Sequence, residues 1–215
     1  MSDRASERAA LADALARRPN VSDRAADAIR TVPRHEFVPA GKRSSAYDDR
    51  PLPIGEGATI SAPHMVAIVA THLDLREGDT VLEIGTGCGY HAAVTAELAG
   101  AENVYSVEYV DELAERARQT LADTGYGDVS VRVGDGHDGW PEHAPYDAAY
   151  LTCAAAEFPG AVVDQVETDG RVVAPIGTGR QRLVVGEKRA DGGLDTTDEG
   201  AVRFVQMQGG DGEDD

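Results

Sequence analysis

Between Val81 and Tyr90 the chain reads Val-Leu-Glu-Ile-Gly-Thr-Gly-Cys-Gly-Tyr, and an alanine-rich stretch follows through Ala99. The short apolar run predicts a buried strand. Glycines spaced G-x-G-x-G then turn the chain sharply into a helix. Lacking Cβ atoms, they adopt dihedrals that other residues avoid and let a ligand approach the backbone closely. The helix that follows offers unpaired N–H groups and the positive end of its dipole at the same place. The segment therefore predicts the leading strand–turn–helix of an α/β sheet. It also predicts a nucleotide-type cofactor site at Gly85, Thr86 and Gly87.

The rest of the chain repeats this alternation. Strands are expected at 80–84, 103–108, 129–133, 146–152, 171–175 and 182–188, with a last one near 201–206, and helices at 89–99, 111–123 and 157–166. Such alternation implies a Rossmann-like, doubly wound, mostly parallel sheet with helices on both faces. Ligands on such sheets sit beyond the carboxyl ends of the strands. The second strand ends at Glu108, 23 positions after Gly85, where a carboxylate can accept hydrogen bonds from ribose hydroxyls. The third ends in Gly134-Asp135-Gly136. There an acid suits an adenine amino group, and the glycines leave room for the base. A dinucleotide fingerprint would place its third glycine where Tyr90 stands. The order G-x-G-x-G, acid, acid resembles that of class I methyltransferases dependent on S-adenosyl-L-methionine, with a nicotinamide oxidoreductase as the competing reading.

Ahead of this unit, residues 2–18 and 22–30 carry helical spacing, with Pro19-Asn20 as a stop and Ser22 as the expected N-cap of the second helix. Residues 31–61 are rich in proline and glycine and fit no amphipathic period, so an ordered irregular segment is expected. Ala62-Pro63 opens a helix to about Leu73. The organisation read here is short N-terminal helices and an irregular substrate-side segment over 1–61, a cofactor-binding domain over 62–208, and a disordered acidic tail over 209–215.

A net charge of −18 argues against a nucleic-acid partner, because phosphate binding needs a basic footprint. Of 20 basic residues only Lys42 and Lys188 are lysines. An acid-rich, lysine-poor chain has the composition of a halophilic protein, in which salt screens carboxylate repulsion. No stretch of about 18 apolar residues occurs, so a soluble, cytoplasmic protein without membrane contact is expected, with a monomer favoured. Cys88 and Cys153 lack disulfide or zinc spacing, and the six histidines show no ligand pattern, so no metal is expected.

Further segments narrow the resemblance. They include Phe37-Val38-Pro39, Ala46-Tyr47-Asp48-Asp49, Pro51-Leu52-Pro53-Ile54-Gly55 and, above all, Thr59-Ile60-Ser61-Ala62-Pro63-His64-Met65. To these are added Gly134-Asp135-Gly136, Ala144-Pro145-Tyr146-Asp147 and Gly170-Arg171-Val172-Val173-Ala174-Pro175-Ile176-Gly177. Together they resemble the protein-L-isoaspartate O-methyltransferase family over roughly residues 22–208. The resemblance implies methyl transfer from S-adenosyl-L-methionine to the free α-carboxylate of L-isoaspartyl residues in damaged peptides and proteins. Such an ester cyclises to a succinimide that can reopen to aspartate, which makes the activity one of protein repair. An α-carboxylate, with a pKa of about 3.5, is already anionic at neutral pH and needs no general base. The enzyme must hold one oxygen in line with the methyl group, at roughly 3–3.5 Å.

By the same resemblance Ser61 is the active-site serine, and Gly85, Thr86 and Gly87 lie beside the cofactor. Glu108 is the ribose acid, and Asp135 with Gly136 serves the adenine. Thr59 and Ile60 cover the pocket, and His64 and Gln181 lie on the substrate side. Bland readings stand beside these: Ser61 as the N-cap of the helix after it, Glu108 as a solvated acid, Asp135 as a turn residue. The chain departs from the family at Cys88, where serine is usual, and at Cys153 within Leu151–Ala156. It also departs at Gln206, where a proline usually follows Phe-Val. Two other classes compete with repair: a related methyltransferase acting on another carboxylate or a small molecule, and a non-catalytic protein that binds the cofactor.

Overall fold

The computed structural model describes residues 4–210. A seven-stranded sheet runs through it, built from β3 (Val81–Ile84), β4 (Val104–Glu108), β5 (Ser130–Val133), β6 (Tyr146–Leu151), β7 (Val166–Ile176), β8 (Gln181–Lys188) and β9 (Leu194–Val202). The order across the sheet is β5-β4-β3-β6-β7-β8-β9. Ladders from β5 to β7 are parallel, while β7–β8 and β8–β9 are antiparallel. The expected doubly wound, mostly parallel sheet is thus present. Its central strand β3, apolar apart from Glu83, is buried at every position, as a strand covered on both faces should be. Chain order reverses at β3, with β4 on one side and β6 on the other. A crevice opens there at the carboxyl edge, the usual ligand position in such sheets.

Helices α1 (Arg4–Ala16), α2 (Asp23–Thr31), α3 (Pro63–Leu73), α4 (Tyr90–Ala99), α5 (Asp111–Asp123) and α6 (Gly160–Asp164) complete the regular elements. Ser22 caps α2, its side chain accepting a hydrogen bond from the Ala25 N–H. Leu11, Leu15 and Ile29 of α1 and α2 lie in the same apolar cluster as Val66 of α3, Val94 of α4 and Tyr150 of β6. The N-terminal helices therefore share one core with the sheet. Among the described residues, no helix is long and apolar enough to cross a membrane.

Four expectations need correcting. Residues 31–61 are not wholly irregular: β1 (Leu52–Gly55) and β2 (Ala58–Ile60) form an antiparallel hairpin. The last strand runs over Leu194–Val202, not 201–206. Its alternation is hidden because almost every side chain faces solvent. Strand β7 begins at Val166, before the expected 171, so α6 is only five residues long. Of the tail expected to be disordered, Gly209 and Gly210 are placed, and the Gly210 N–H donates to Asp135 Oδ2 at 2.6 Å. The remainder of that tail, 211–215, lies outside the described residues.

Candidate active site

The glycine turn sits at the carboxyl end of β3. Gly85 has φ of 95°, and a Cβ there would lie 2.4 Å from Thr152 Oγ1, so both conformation and space demand glycine. Thr152 follows β6, and its hydroxyl donates to the Gly85 carbonyl at 2.5 Å, tying the turn to the neighbouring strand end. Glu108, at the end of β4, is 6% exposed and is not the solvated acid of the bland reading. Its Oε2 accepts the Gly87 N–H at 2.7 Å and its Oε1 the Val110 N–H at 3.0 Å. Each oxygen keeps a second lone pair for a ligand.

A pocket is bounded by Gly85, Gly87, Glu108, Tyr109, Gly136 and Met207. At Gly136 a Cβ would stand 2.3 Å from Ile84 Cγ2 and 2.9 Å from the Met207 methyl. Only a bare position lets Ile84 and Met207 close up against the backbone here, and together they give the pocket an apolar floor. Asp135 is turned onto its own chain. Its Oδ1 accepts the His137 N–H at 2.9 Å and meets His137 Nδ1 at 2.8 Å, while Oδ2 takes the Gly210 N–H. Partial burial pushes its carboxyl upward, but these hydrogen bonds outweigh burial and hold it below the usual range. The close-approach backbone of the glycine turn, the buried Glu108 carboxylate and the apolar floor together fit S-adenosyl-L-methionine.

Ser61 follows the hairpin and precedes α3. The N-cap of α3 is Ala62, with Pro63 in the first helical position, so Ser61 does not cap the helix. The adjacent His64 N–H is instead received by Asp49 Oδ1 at 2.8 Å, which also holds His64 Nδ1 at 2.8 Å. Among the described residues the Ser61 hydroxyl has no hydrogen-bond partner. It lines a small recess of about 30 Å³ against the glycine turn. On its other side it lines an outer groove of about 390 Å³. Thr59 and Thr152 line both of these and the cofactor pocket as well, so the three spaces meet beside Ser61. Ile60 lines the small recess and His64 the groove.

Gln181 is not among the residues lining these spaces. Its side chain is buried, accepts the Phe204 N–H at 2.5 Å and donates to the Phe204 carbonyl at 3.0 Å. It fixes the backbone of the segment after β9, whose Phe204 and Val205 wall the groove while Val205, Gln206 and Met207 wall the cofactor pocket. Thr152 lines the same spaces and escaped sequence reasoning, which marked the Phe204–Met207 segment only for its departure from the family. The signal for Thr152 is its place one residue past the carboxyl end of a central strand.

Beneath the turn lies a buried polar chain. Ser106 Oγ donates to Glu83 Oε2 at 2.5 Å and Tyr150 OH to Glu83 Oε1 at 2.9 Å. Thr86 Oγ1 meets Ser106 at 2.5 Å, and Thr95 meets Tyr150 at 2.9 Å. Burial raises the Glu83 carboxyl to about 8 against these two stabilising hydroxyls. Burial also pushes the thiols of Cys88 and Cys153 to about 11 and about 12, so both remain protonated at neutral pH. Among the described residues, no group of three or more His, Cys, Asp and Glu side chains is placed to hold a metal ion.

Comparison with known proteins places the chain in a family. Residues 6–212 match the profile of the protein-L-isoaspartate(D-aspartate) O-methyltransferases. The chain is 52% identical over 204 residues to protein-L-isoaspartate O-methyltransferase 2 of Archaeoglobus fulgidus, covering 94% of this chain and 93% of that one. It is 52% identical over 179 residues to the protein-L-isoaspartate O-methyltransferase of Methanocella arvoryzae, covering 83% and 95%. A solved structure of a protein-L-isoaspartate O-methyltransferase superposes with a TM-score of 0.87 at 32% identity, covering 94% of this chain and 66% of that one. A structure from Plasmodium falciparum, described as a putative enzyme of this kind in complex with S-adenosyl-L-homocysteine, shares the fold. Its TM-score is 0.80 at 23% identity, covering 94% and 98%.

Proposed function

The chain belongs to the protein-L-isoaspartate(D-aspartate) O-methyltransferase family; from that premise we propose how its own residues serve methylation of the α-carboxylate of L-isoaspartyl residues, a protein-repair reaction. S-adenosyl-L-methionine supplies a methyl group activated on a sulfonium. Because the acceptor carboxylate is anionic at neutral pH, the protein has no proton to remove. Its work is positioning.

Glu108 offers its remaining lone pairs to the ribose hydroxyls, and the apolar floor of Ile84, Gly136 and Met207 receives the adenine. Asp135 serves the adenine side by holding that loop through His137 and Gly210. The backbone at Gly85 and Gly87 lets the methionine portion close on the turn, with Thr86 anchoring the turn to Ser106. Thr59 and Ile60 form the wall between cofactor and acceptor. Ser61 donates its hydroxyl to one oxygen of the acceptor carboxylate and leaves the other free to attack. His64, fastened to Asp49, and Gln181, fastened to Phe204, keep the two sides of the groove in place. The observation that carries this reading is the unpartnered Ser61 hydroxyl where cofactor pocket and groove meet.

With this function we associate a cytoplasmic monomer that binds no nucleic acid and whose acidic surface is adapted to concentrated salt. The test is transfer of labelled methyl from S-adenosyl-L-methionine, in molar KCl, to an L-isoaspartyl peptide and to its aspartyl twin. Base-labile label on the isoaspartyl peptide alone is expected. Cofactor binding with neither peptide labelled would leave a binder or a different acceptor.

A further inference from the structure

The outer groove differs in charge from the rest of the molecule. Asp and Glu make up 38 of the 215 residues, yet none of the groove's lining residues is acidic. Its walls are largely apolar, with Pro51, Met65, Phe204 and Val205 among them, and its cation is Arg203. Arg203 is exposed, and among the described residues it makes no hydrogen bond or ion pair. On the adjoining strand, Arg182, which pairs in register with Ala201, is by contrast held by Asp198 at 2.5 Å. Arg203 stands between the end of β9 at Val202 and Phe204, whose backbone Gln181 grips from both sides. Its backbone is therefore anchored while its side chain is free to meet a ligand.

We propose that Arg203 is a specificity determinant that reads a carboxylate side chain flanking the isoaspartyl residue of the acceptor peptide. This rests on the methyltransferase reading above. Two arguments bring the guanidinium to the acceptor peptide, and the first sets it on a flanking acid and not on the reacting carboxylate. A charge-paired fork on the nucleophile would hold its electrons back from the methyl group, whereas Ser61 alone leaves one oxygen free. The second argument is the field of the whole chain. A protein of net charge −18 repels an anionic peptide, and an acid-free groove with one unpaired cation offsets that repulsion where the acceptor must lie.

The experiment compares, at about 0.1 M KCl, two pairs of L-isoaspartyl peptides whose members differ only in Glu or Gln, on one side of the isoaspartyl residue in one pair and on the other side in the second. Both are methylated by the wild-type chain, by Arg203→Gln and by Arg203→Lys. For wild type the Glu peptide is expected to show a kcat/KM about 3- to 5-fold higher, carried by KM, as suits an exposed ion pair. That preference should shrink as KCl is raised. Arg203→Gln should bring the ratio to about one, and Arg203→Lys should retain part of it. A wild-type ratio of one at both positions, or a preference that survives Arg203→Gln, overturns the proposal while leaving the methyltransferase reading intact. Absence of methylation of every peptide by wild type overturns that underlying reading, and this inference with it.

Discussion

Ser61 has a hydroxyl without a partner at the meeting point of three spaces, so its removal tests binding of the acceptor more than folding. Ser61→Ala should lower kcat/KM for an isoaspartyl peptide by about 10- to 100-fold, the worth of a hydrogen bond to a charged group. Calorimetric affinity for S-adenosyl-L-methionine should change little; equal loss of both would mean that Ser61 chiefly shapes the loop. A second residue-scale prediction concerns Glu83. Burial lifts its carboxyl to about 8, against an ordinary value of 4.5 in the unfolded chain. Between those values the folded chain keeps a proton that the unfolded chain has lost, so stability falls as pH rises through this window and levels off above it. Glu83→Gln removes that slope. Its unfolding free energy, measured by chemical denaturation, should gain on wild type between about pH 5 and about pH 8, by no more than about 1.4 kcal/mol per pH unit. A constant gap across that range would show Glu83 ionised throughout. Site residues were legible where they lie at strand ends beside glycines, as Gly85, Glu108 and Gly136 do. The position of Gln181, by contrast, was not: its two bonds to Phe204 depend on how β8 and the chain after β9 come together, which no local spacing records.

Among the elements, the stretch between α2 and α3 shows best what a sequence pattern can hide. Its prolines and glycines mask a hairpin in which Leu52, Ile54 and Ile60 point inward around a turn at Gly55-Glu56-Gly57. The alternation is too short to register as a strand and is interrupted by Pro53. What organises the preceding irregular run is Arg34, fully buried, donating to the Ala46 carbonyl at 2.9 Å and lying over the Tyr90 ring at 4.8 Å. An arginine in a proline-rich segment carries no sign that it will be internal. Here burial lowers its pKa, and a backbone carbonyl and an aromatic face take the place of a carboxylate. Arg34→Ala leaves a large void and an unpaired carbonyl, and should cost on the order of 3 kcal/mol. Chemical denaturation would measure the loss, and limited proteolysis should find new cleavage within residues 34–50. Unchanged stability would show that the segment is held by its apolar contacts alone. The central β3–α4 unit was readable because each level agrees there: apolar strand, glycine turn, alanine-rich helix. Strand β9 was not, because an exposed edge strand needs no apolar face.

On the scale of the whole molecule, a net charge of −18 acts on every folded property at once. Self-repulsion opposes the compact state, and screening relieves it over distances beyond about 10 Å at 0.1 M salt. The melting temperature should therefore rise from low to molar KCl, and a flat profile in scanning fluorimetry would remove the case for salt adaptation. The same screening reaches the sheet's margin. There Glu199 drops out of register between the pairs Leu183–Gly200 and Val184–Asp198, while Asp195 and Asp198 stud the outermost strand. A naked margin is a template on which a second copy can zip itself, and both the bulge and the repulsion between two chains of net charge −18 discourage that. Salt is thus expected to pull in two directions, tightening each molecule while disarming the electrostatic half of its guard against its neighbours. Under concentrated salt, protection from stacking into fibrils falls to the kink at Glu199, a purely geometric defence that no ion can screen.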